Sequence, residues 1–294
     1  MMTFAVLVGI GGGVGTIVFV EMIRFFTQLF FGRGAEVFGF LGRAYVIVLP
    51  ALGGLLVGPL VHFVAPEAKG HGVPEVLAAI AIRGGRIRPI VVLAKALGSA
   101  ITIGAGGSVG REGPIVQIGS ALGSTIGQLF RLNERRVVNL VASGAAAGIA
   151  ATFNAPIAGV MFALEVILGE FGIQTFSTLV IAAVTASVVG RVALGDAPAF
   201  AVPAYTLQSP WELLLYLGLG VVAGFGALAF VRTLHFAEDV FGRWQFPPYL
   251  KPAAGGLLLG LLGFALPQVF GTGFGAIEDA LNGRLALALL LALI

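Results

Sequence analysis

Apolar stretches follow one another along almost the whole chain, and several are too short to cross a bilayer. Candidate spans run near Thr3–Phe31, Ala44–Val64, Pro89–Ile103, Pro114–Phe130, Val137–Phe153, Pro156–Leu168, Phe176–Leu194, Trp211–Phe236, Ala253–Val269 and Leu285–Ile294. A spanning helix needs about 20 apolar residues, and segments such as Pro89–Ile103 and Pro156–Leu168 fall short of that. Glycine or proline, rather than a charged loop, bounds many of them. Broken helices of this kind persist at membrane depth only where they pack in protein or line a polar cavity. A plain bundle of full spans is therefore excluded, and the pattern points to a transporter or channel.

Composition agrees about the solvent. Of the 294 residues, 58% are hydrophobic and 11% are charged, less than half the charged share of about 25% usual in soluble domains. Mean hydropathy is +1.02. That little polar surface cannot cover a water-exposed globule, so a soluble enzyme and a disordered chain are both excluded. The expected fold class is all-α and polytopic, embedded in a lipid bilayer. With no cysteine, disulfides, thiolate metal sites and haem attachment are excluded; no cofactor or metal is expected. The net charge of +3 is read as basic loops marking the cytoplasmic side, not as a nucleic-acid surface. Arg83, Arg86 and Arg88 form one basic cluster, and Arg131, Arg135 and Arg136 another. Two spans separate them, so both are expected on the same side. Met1 to Ala5 lacks the basic region of a cleavable signal.

An internal repeat organises the chain. Gly9, Gly13, Gly15, Phe19, Phe25 and Phe30 recur 211 residues later as Gly220, Gly224, Gly226, Phe230, Phe236 and Phe241. Pro50–Gly58 recurs 202 residues later as Pro252–Gly260, and Gly70–Val73 recurs 201 later as Gly271–Phe274. Residues 1–205 are expected to form a first repeat and 206–294 the beginning of a second, incomplete one. Duplicated halves place a substrate site at their interface near the midplane.

Three glycine- and proline-rich motifs carry chemistry. The first, Gly104–Pro114, reads GAGGSVGREGP. Glycines ahead of a helix that begins at Pro114 leave amide N–H groups facing a small anion. Glu112 sits where such an anion would sit; its carboxylate either competes with the anion or merely favours the helix dipole. Inside a long apolar chain a charged group is functional by default. The second motif, Gly70–Glu75, again starts a helix. His71 is either an anion donor or a polar cap, and Glu75 is a capping carboxylate. The third, Gly144–Gly159, spaces small residues for close helix contact, with Asn154 and Pro156 at a helix junction. Lys95 and Glu165 are the remaining ionisable groups within the spans; Lys95 raises the local anion potential or snorkels. An acid–base enzyme built on Glu112 and His71 is a reading from another class. It lacks a paired carboxylate cluster or an H-E-x-x-H motif, so no enzyme is expected. A purely structural membrane subunit ranks lower still.

These residues resemble the CLC chloride channels and chloride/proton antiporters. GREGP at Gly110–Pro114, GHGVPEV at Gly70–Val76 and GAAAG with FNAPIAGVMFALE between Gly144 and Glu165 stand in that family's order. The resemblance implies a duplicated, inverted helical fold, a homodimer, and one pathway per subunit for chloride or a similar small anion. It implies that Glu112 is the gate, that His71, Gly72, Val73, Arg111 and Gly113 bind the anion, and that Lys95 tunes pathway electrostatics. A prokaryotic inner membrane is the implied residence. Three departures accompany it. Serine is the family's usual residue at His71. Antiporters often carry a second glutamate after the one matching Glu165, where this chain has Val166, a proton-relay position without an acid. The family's later anion-binding motifs would fall beyond Ile294. A channel or transporter with a glutamate gate is the expected function, with a coupled chloride/proton antiporter as the alternative.

Overall fold

A computed structural model describes residues 1–196, 202–203, 206–207 and 209–293. Among the described residues every regular element is a helix. Helix α1 (Met2–Thr27) runs through a π-helical turn at Gln28–Arg33 into the short α2 (Gly34–Val37). Then come α3 (Tyr45–Pro59), α4 (Val73–Arg83), α5 (Ile90–Gly104), α6 (Glu112–Leu129) and α7 (Glu134–Phe153). Next, α8 (Pro156–Phe162) continues as a π-helical turn, Ala163–Leu168, and α9 (Ile173–Leu194) follows. The last four are α10 (Glu212–Arg243), α11 (Lys251–Ala265), α12 (Phe274–Leu281) and α13 (Leu287–Leu293). Five helical stretches are long and apolar enough to cross a membrane, and three shorter apolar helices accompany them.

The expected spans fall on these helices with two revisions. The helix expected to begin at Pro114 begins at Glu112. Proline is tolerated in a first turn because its absent N–H would have had no intrahelical acceptor. The span expected to reach Val269 stops at Ala265, since Leu266 precedes Pro267 and takes an extended conformation (φ −129°, ψ 80°).

The chain divides into two compact units, Met1–Ala201 with Pro248–Ile294, and Val202–Pro247. Pro248–Ile294 joins the first unit because α11 packs back against α3; Tyr205, at the expected repeat boundary, lies outside the described residues. The smaller unit is α10 and its flanks, a 32-residue apolar helix.

In the larger unit α7 is the central helix. Residues 140–152 are buried without interruption, and most are alanine, glycine or serine. Small side chains let neighbouring backbones come within van der Waals reach. A Cβ on Gly119 would overlap the Gly144 carbonyl, and one on Gly144 would overlap the Gly119 carbonyl. Gly123 meets Leu140 in the same way, so α6 and α7 run antiparallel in contact. At one end of this pair, Gly84 lies against Glu134 and Gly85 against Val138. The two arginine clusters therefore lie at one end of the unit, as the parity of the spans requires. Ser124 holds the Gly85–Ile87 turn there, donating to the Gly85 carbonyl at 2.7 Å and accepting from the Ile87 amide at 2.8 Å.

The repeat is visible in the backbone. Pro66–Ala68 and Pro267–Val269 are single 3₁₀ turns 201 residues apart. Ala65 (φ −148°, ψ 81°) matches Leu266 (φ −129°, ψ 80°), and Lys69 (φ −67°, ψ 146°) matches Phe270 (φ −74°, ψ 140°). Gly70 and Gly72, at φ 97° and 101°, match Gly271 and Gly273, at 76° and 75°. Helices α4 and α12 then start at equivalent residues. The packing of α3 on α11 repeats itself too. Gly54 abuts the Pro252 carbonyl while Gly256 abuts that of Pro50, and Gly58 abuts Tyr249 while Gly260 abuts Ile47. Exchanging each residue for its counterpart 202 positions away reproduces the same set of contacts. A self-complementary contact of this kind is isologous, as across a two-fold axis. Because partners rise along α3 as they fall along α11, the helices are antiparallel. The two repeats are inverted with respect to each other.

This contact predicts matched sensitivity. Gly54→Val and Gly256→Val each drive a side chain into the partner backbone and are expected to destabilise the protein by about 1–3 kcal/mol or more. Both should lower the melting temperature in detergent by similar amounts. Gly255→Ala, whose Cβ meets nothing within 4 Å, should leave it unchanged. A tolerant Gly256→Val beside a damaging Gly54→Val would refute the symmetric contact.

Candidate functional site

Two helix starts meet in the larger unit. Helix α4 has 11 residues and at about 1.5 Å per residue extends roughly 16 Å. That is well short of a hydrocarbon core of about 30 Å. Its C-terminus, Arg83, is at the arginine end, so its N-terminus opens inside the protein. Helix α6 also ends near that face, at Phe130 and Arg131, and begins beside α4. A Cβ on Gly113 would overlap the His71 carbonyl, and one on Gly72 would overlap the Gly113 carbonyl. Only glycine at both positions lets these backbones touch. Each helix start presents amides that have no acceptor within the helix, together with the positive end of its dipole.

The turn before α4 is held from three directions. Glu75 accepts the Gly72 amide at 2.6 Å, the carboxylate half of a capping box. The Gly72 donor thus has a carboxylate partner, and at φ 101° the residue also supplies the left-handed turn. Lys95, 5% exposed in the middle of α5, donates to the carbonyls of Ala68 at 3.1 Å and Gly70 at 2.8 Å. Gln117 of α6 donates to the Glu67 carbonyl at 3.0 Å, and Arg88 pairs with the Glu67 carboxylate at 2.9 Å. The sequence motifs did not single out Glu67 or Gln117, and Arg88 was read only as part of a basic cluster. Gln117 had a legible signal: a long polar side chain four residues after Gly113, within an apolar span.

The structure brings His71, Gly72, Val73 and Gly113 together with Glu112. His71 and Glu112 are exposed, Gly72 is buried, and Val73 and Gly113 are half-buried. The Glu112 carboxylate turns back over Gly110, where a Cβ would overlap Oε2. Arg111 caps α6 with its backbone, and its guanidinium lies over the rings of Phe274, at 4.7 Å, and Phe153, at 5.5 Å. Lys95 stands behind the turn, holding its carbonyls. Glu165 and Val166 lie in the π-helical turn after α8, both exposed. Asn154 ends α7 in the left-handed conformation, as its place in the third motif suggests. Its side chain accepts from Arg191 at 2.6 Å and Ser187 at 3.2 Å and donates to Asp196 at 2.8 Å, which makes it a fastening between helices. Among the described residues no group of three or more histidines or acids is placed to hold a metal ion.

Comparison with known proteins agrees with this arrangement. A family model described as voltage gated chloride channel matches residues 53–294. A chloride channel protein described as ClcB-like, from Ralstonia nicotianae, is 32% identical over 292 residues, covering 96% of this chain and 67% of that protein. The H(+)/Cl(-) exchange transporter ClcA of Vibrio cholerae is 35% identical over 245 residues, covering 80% and 52%. Chloride channel protein CLC-e of Arabidopsis thaliana is 34% identical over 251 residues, covering 81% and 35%. The chain thus spans between about a third and two thirds of these relatives. The crystal structure of a slow cyanobacterial Cl-/H+ antiporter superposes with a TM-score of 0.87 at 24% identity, over 99% of this chain and 70% of that one. A CLC-type fluoride/proton antiporter gives 0.83 at 24%, over 97% and 70%. The helix pattern, the inverted repeat, the paired helix starts and the family match agree: the chain is a multi-pass integral membrane protein and belongs to the CLC family of voltage-gated chloride channels and their transporter relatives.

Proposed function

We propose that this protein moves chloride or a similar small anion across a membrane, with Glu112 as the gate. The observation that carries this reading is the contact of two helix starts at Gly72 and Gly113 beside an exposed carboxylate. Amides and dipole ends attract an anion without supplying a full compensating charge. Binding of that strength admits an ion and still lets it leave. Glu112 is an anion tethered at the same place. Ionised, it competes for the amides; protonated, it gives them up. The backbones of His71, Gly72, Val73 and Gly113 form the anion-binding turn, whose shape is held by the Gly72 amide donating to the Glu75 carboxylate. The exposed ring of His71 tunes selectivity, Arg111 adds positive charge beside the gate, and Lys95 sets the electrostatics of the pathway from behind the turn. Residues 1–205 act as the first repeat and 206–294 as the opening of the second. The working form is a homodimer in a prokaryotic inner membrane, in keeping with the bacterial relatives.

A coupled chloride/proton antiporter is the second reading, favoured by the H(+)/Cl(-) exchange transporters among the Vibrio relatives. Against strong coupling stands Val166. A proton crossing the membrane needs titratable groups or connected water, and an isopropyl group binds neither. Glu165 is adjacent on the helix, where neighbouring side chains point about 100° apart. Passive or weakly coupled anion movement follows.

Two measurements test these roles. In the full gene product reconstituted in liposomes, Glu112→Gln should weaken the pH dependence of chloride efflux with the fold retained. Unchanged pH dependence in a folded variant would remove Glu112 from the gate. For coupling, a chloride gradient imposed across sealed vesicles should leave the external pH nearly constant. Uphill proton movement at a fixed chloride-to-proton ratio would establish the antiporter despite Val166.

A further inference from the structure

Arg111 sits in a three-membered cluster that joins three separate parts of the sequence. Its guanidinium carbon is 4.7 Å from the ring centre of Phe274 and 5.5 Å from that of Phe153, and the two rings are 6.3 Å apart at 78° to each other. Phe153 closes α7 ahead of the Asn154 junction, and Phe274 is the first residue of α12, in the second repeat. The buried Nε of Arg111 has no hydrogen-bond partner among the described residues. Ring faces are therefore prominent among the contacts that hold this side chain, and a cation over an aromatic face is attracted by the ring's quadrupole. The residue so held is the backbone cap of α6, immediately before Glu112.

We propose that Arg111 is a positioning residue: clamped by Phe153 and Phe274, it fixes the α6 cap, and hence the Glu112 carboxylate, to the start of α12 in the second repeat. This rests on Glu112 being the gate. The clamp has two effects on that carboxylate. It holds the residue next to the meeting point of the helix starts, and it keeps a guanidinium close to the carboxylate. Other charged or titratable groups on the elements that meet here are Glu21 and Arg24 of α1, His71 on the α4 turn, Glu75 and Arg83 of α4, Lys95 of α5, Glu134, Arg135 and Arg136 of α7, and Glu278 and Asp279 of α12. A planar guanidinium covers ring faces better than an ammonium, so lysine at position 111 should hold the clamp poorly.

The test compares pH profiles of chloride efflux from liposomes holding the full gene product. Phe274→Leu and Arg111→Lys should each move the midpoint of the profile away from that of the unaltered protein. Phe274→Tyr, which keeps a ring, should restore the original midpoint; if Phe274→Leu does not fold, Phe153→Leu reads the other ring. In a Glu112→Gln background neither substitution should alter the profile further. Folded variants with an unmoved midpoint would overturn the proposal, and so would equal shifts with and without Glu112. If Glu112→Gln alone leaves the pH dependence intact, the gate reading falls and takes the clamp with it. A normal Glu112→Gln response with additive shifts overturns the clamp alone.

Discussion

Inside hydrocarbon, a helix start is a set of amides with nothing to bind, and the protein must bring something to it. Here the start of α4 is brought against the start of α6, and the approach is limited by side-chain volume. Gly72 and Gly113 remove that volume at the point of contact. Everything else in the site depends on this one approach. With any other residue at either position the two backbones would separate. The helix ends would then act as two weak dipoles rather than one shared field. Glutamate at Glu75 and amide at Gln117 satisfy donors and acceptors on the side facing the protein. The outward side is the face on which the proposed anion and the Glu112 carboxylate would compete.

The same physical device, backbone contact through missing side chains, builds the scaffold at larger scale. Glycines join α6 to α7 and α3 to α11. There is little hydrophobic drive between helices when the solvent is itself apolar, so close packing carries more of the association. The reciprocal glycine pairs of α3 and α11 also explain how an inverted repeat is held together: one contact surface serves both partners. Duplication thus supplies the interface along with the helices.

Much of this was legible in the sequence, for a physical reason. Charged residues are costly in apolar helices and clustered Gly and Pro interrupt them, so where the two occur together they mark a boundary or a function. Gly70 to Glu75 and Gly110 to Pro114 announced helix starts, and both are found there. The arginine clusters announced a common face. Less legible were contacts between distant segments that leave no local pattern. Phe153 and Phe274 are ordinary apolar residues until Arg111 lies over them. Glu67 reads as a loop charge until Arg88 and Gln117 converge on it. Pro114 misled by two residues, because a first turn accepts proline at more than one place.

Lys95 shows how such a contact changes the meaning of a residue. From sequence it is a cation in a span, a source of positive potential or a snorkelling side chain. In the fold its ammonium is buried and donates to the carbonyls of Ala68 and Gly70. A charged side chain at this depth commonly finds backbone carbonyls as partners, so burial by itself is accounted for. The consequence lies on the other side of the peptide. In a trans peptide unit the C=O and the following N–H point in opposite directions. Drawing the Gly70 carbonyl toward Lys95 therefore turns the His71 N–H away from it. A fixed positive charge on the carbonyl side polarises that bond and makes the N–H a stronger donor. In the proposed pathway, Lys95 would act on an anion through an oriented peptide rather than across open space. This keeps a full positive charge out of the pathway, where it would hold an anion too firmly to release it.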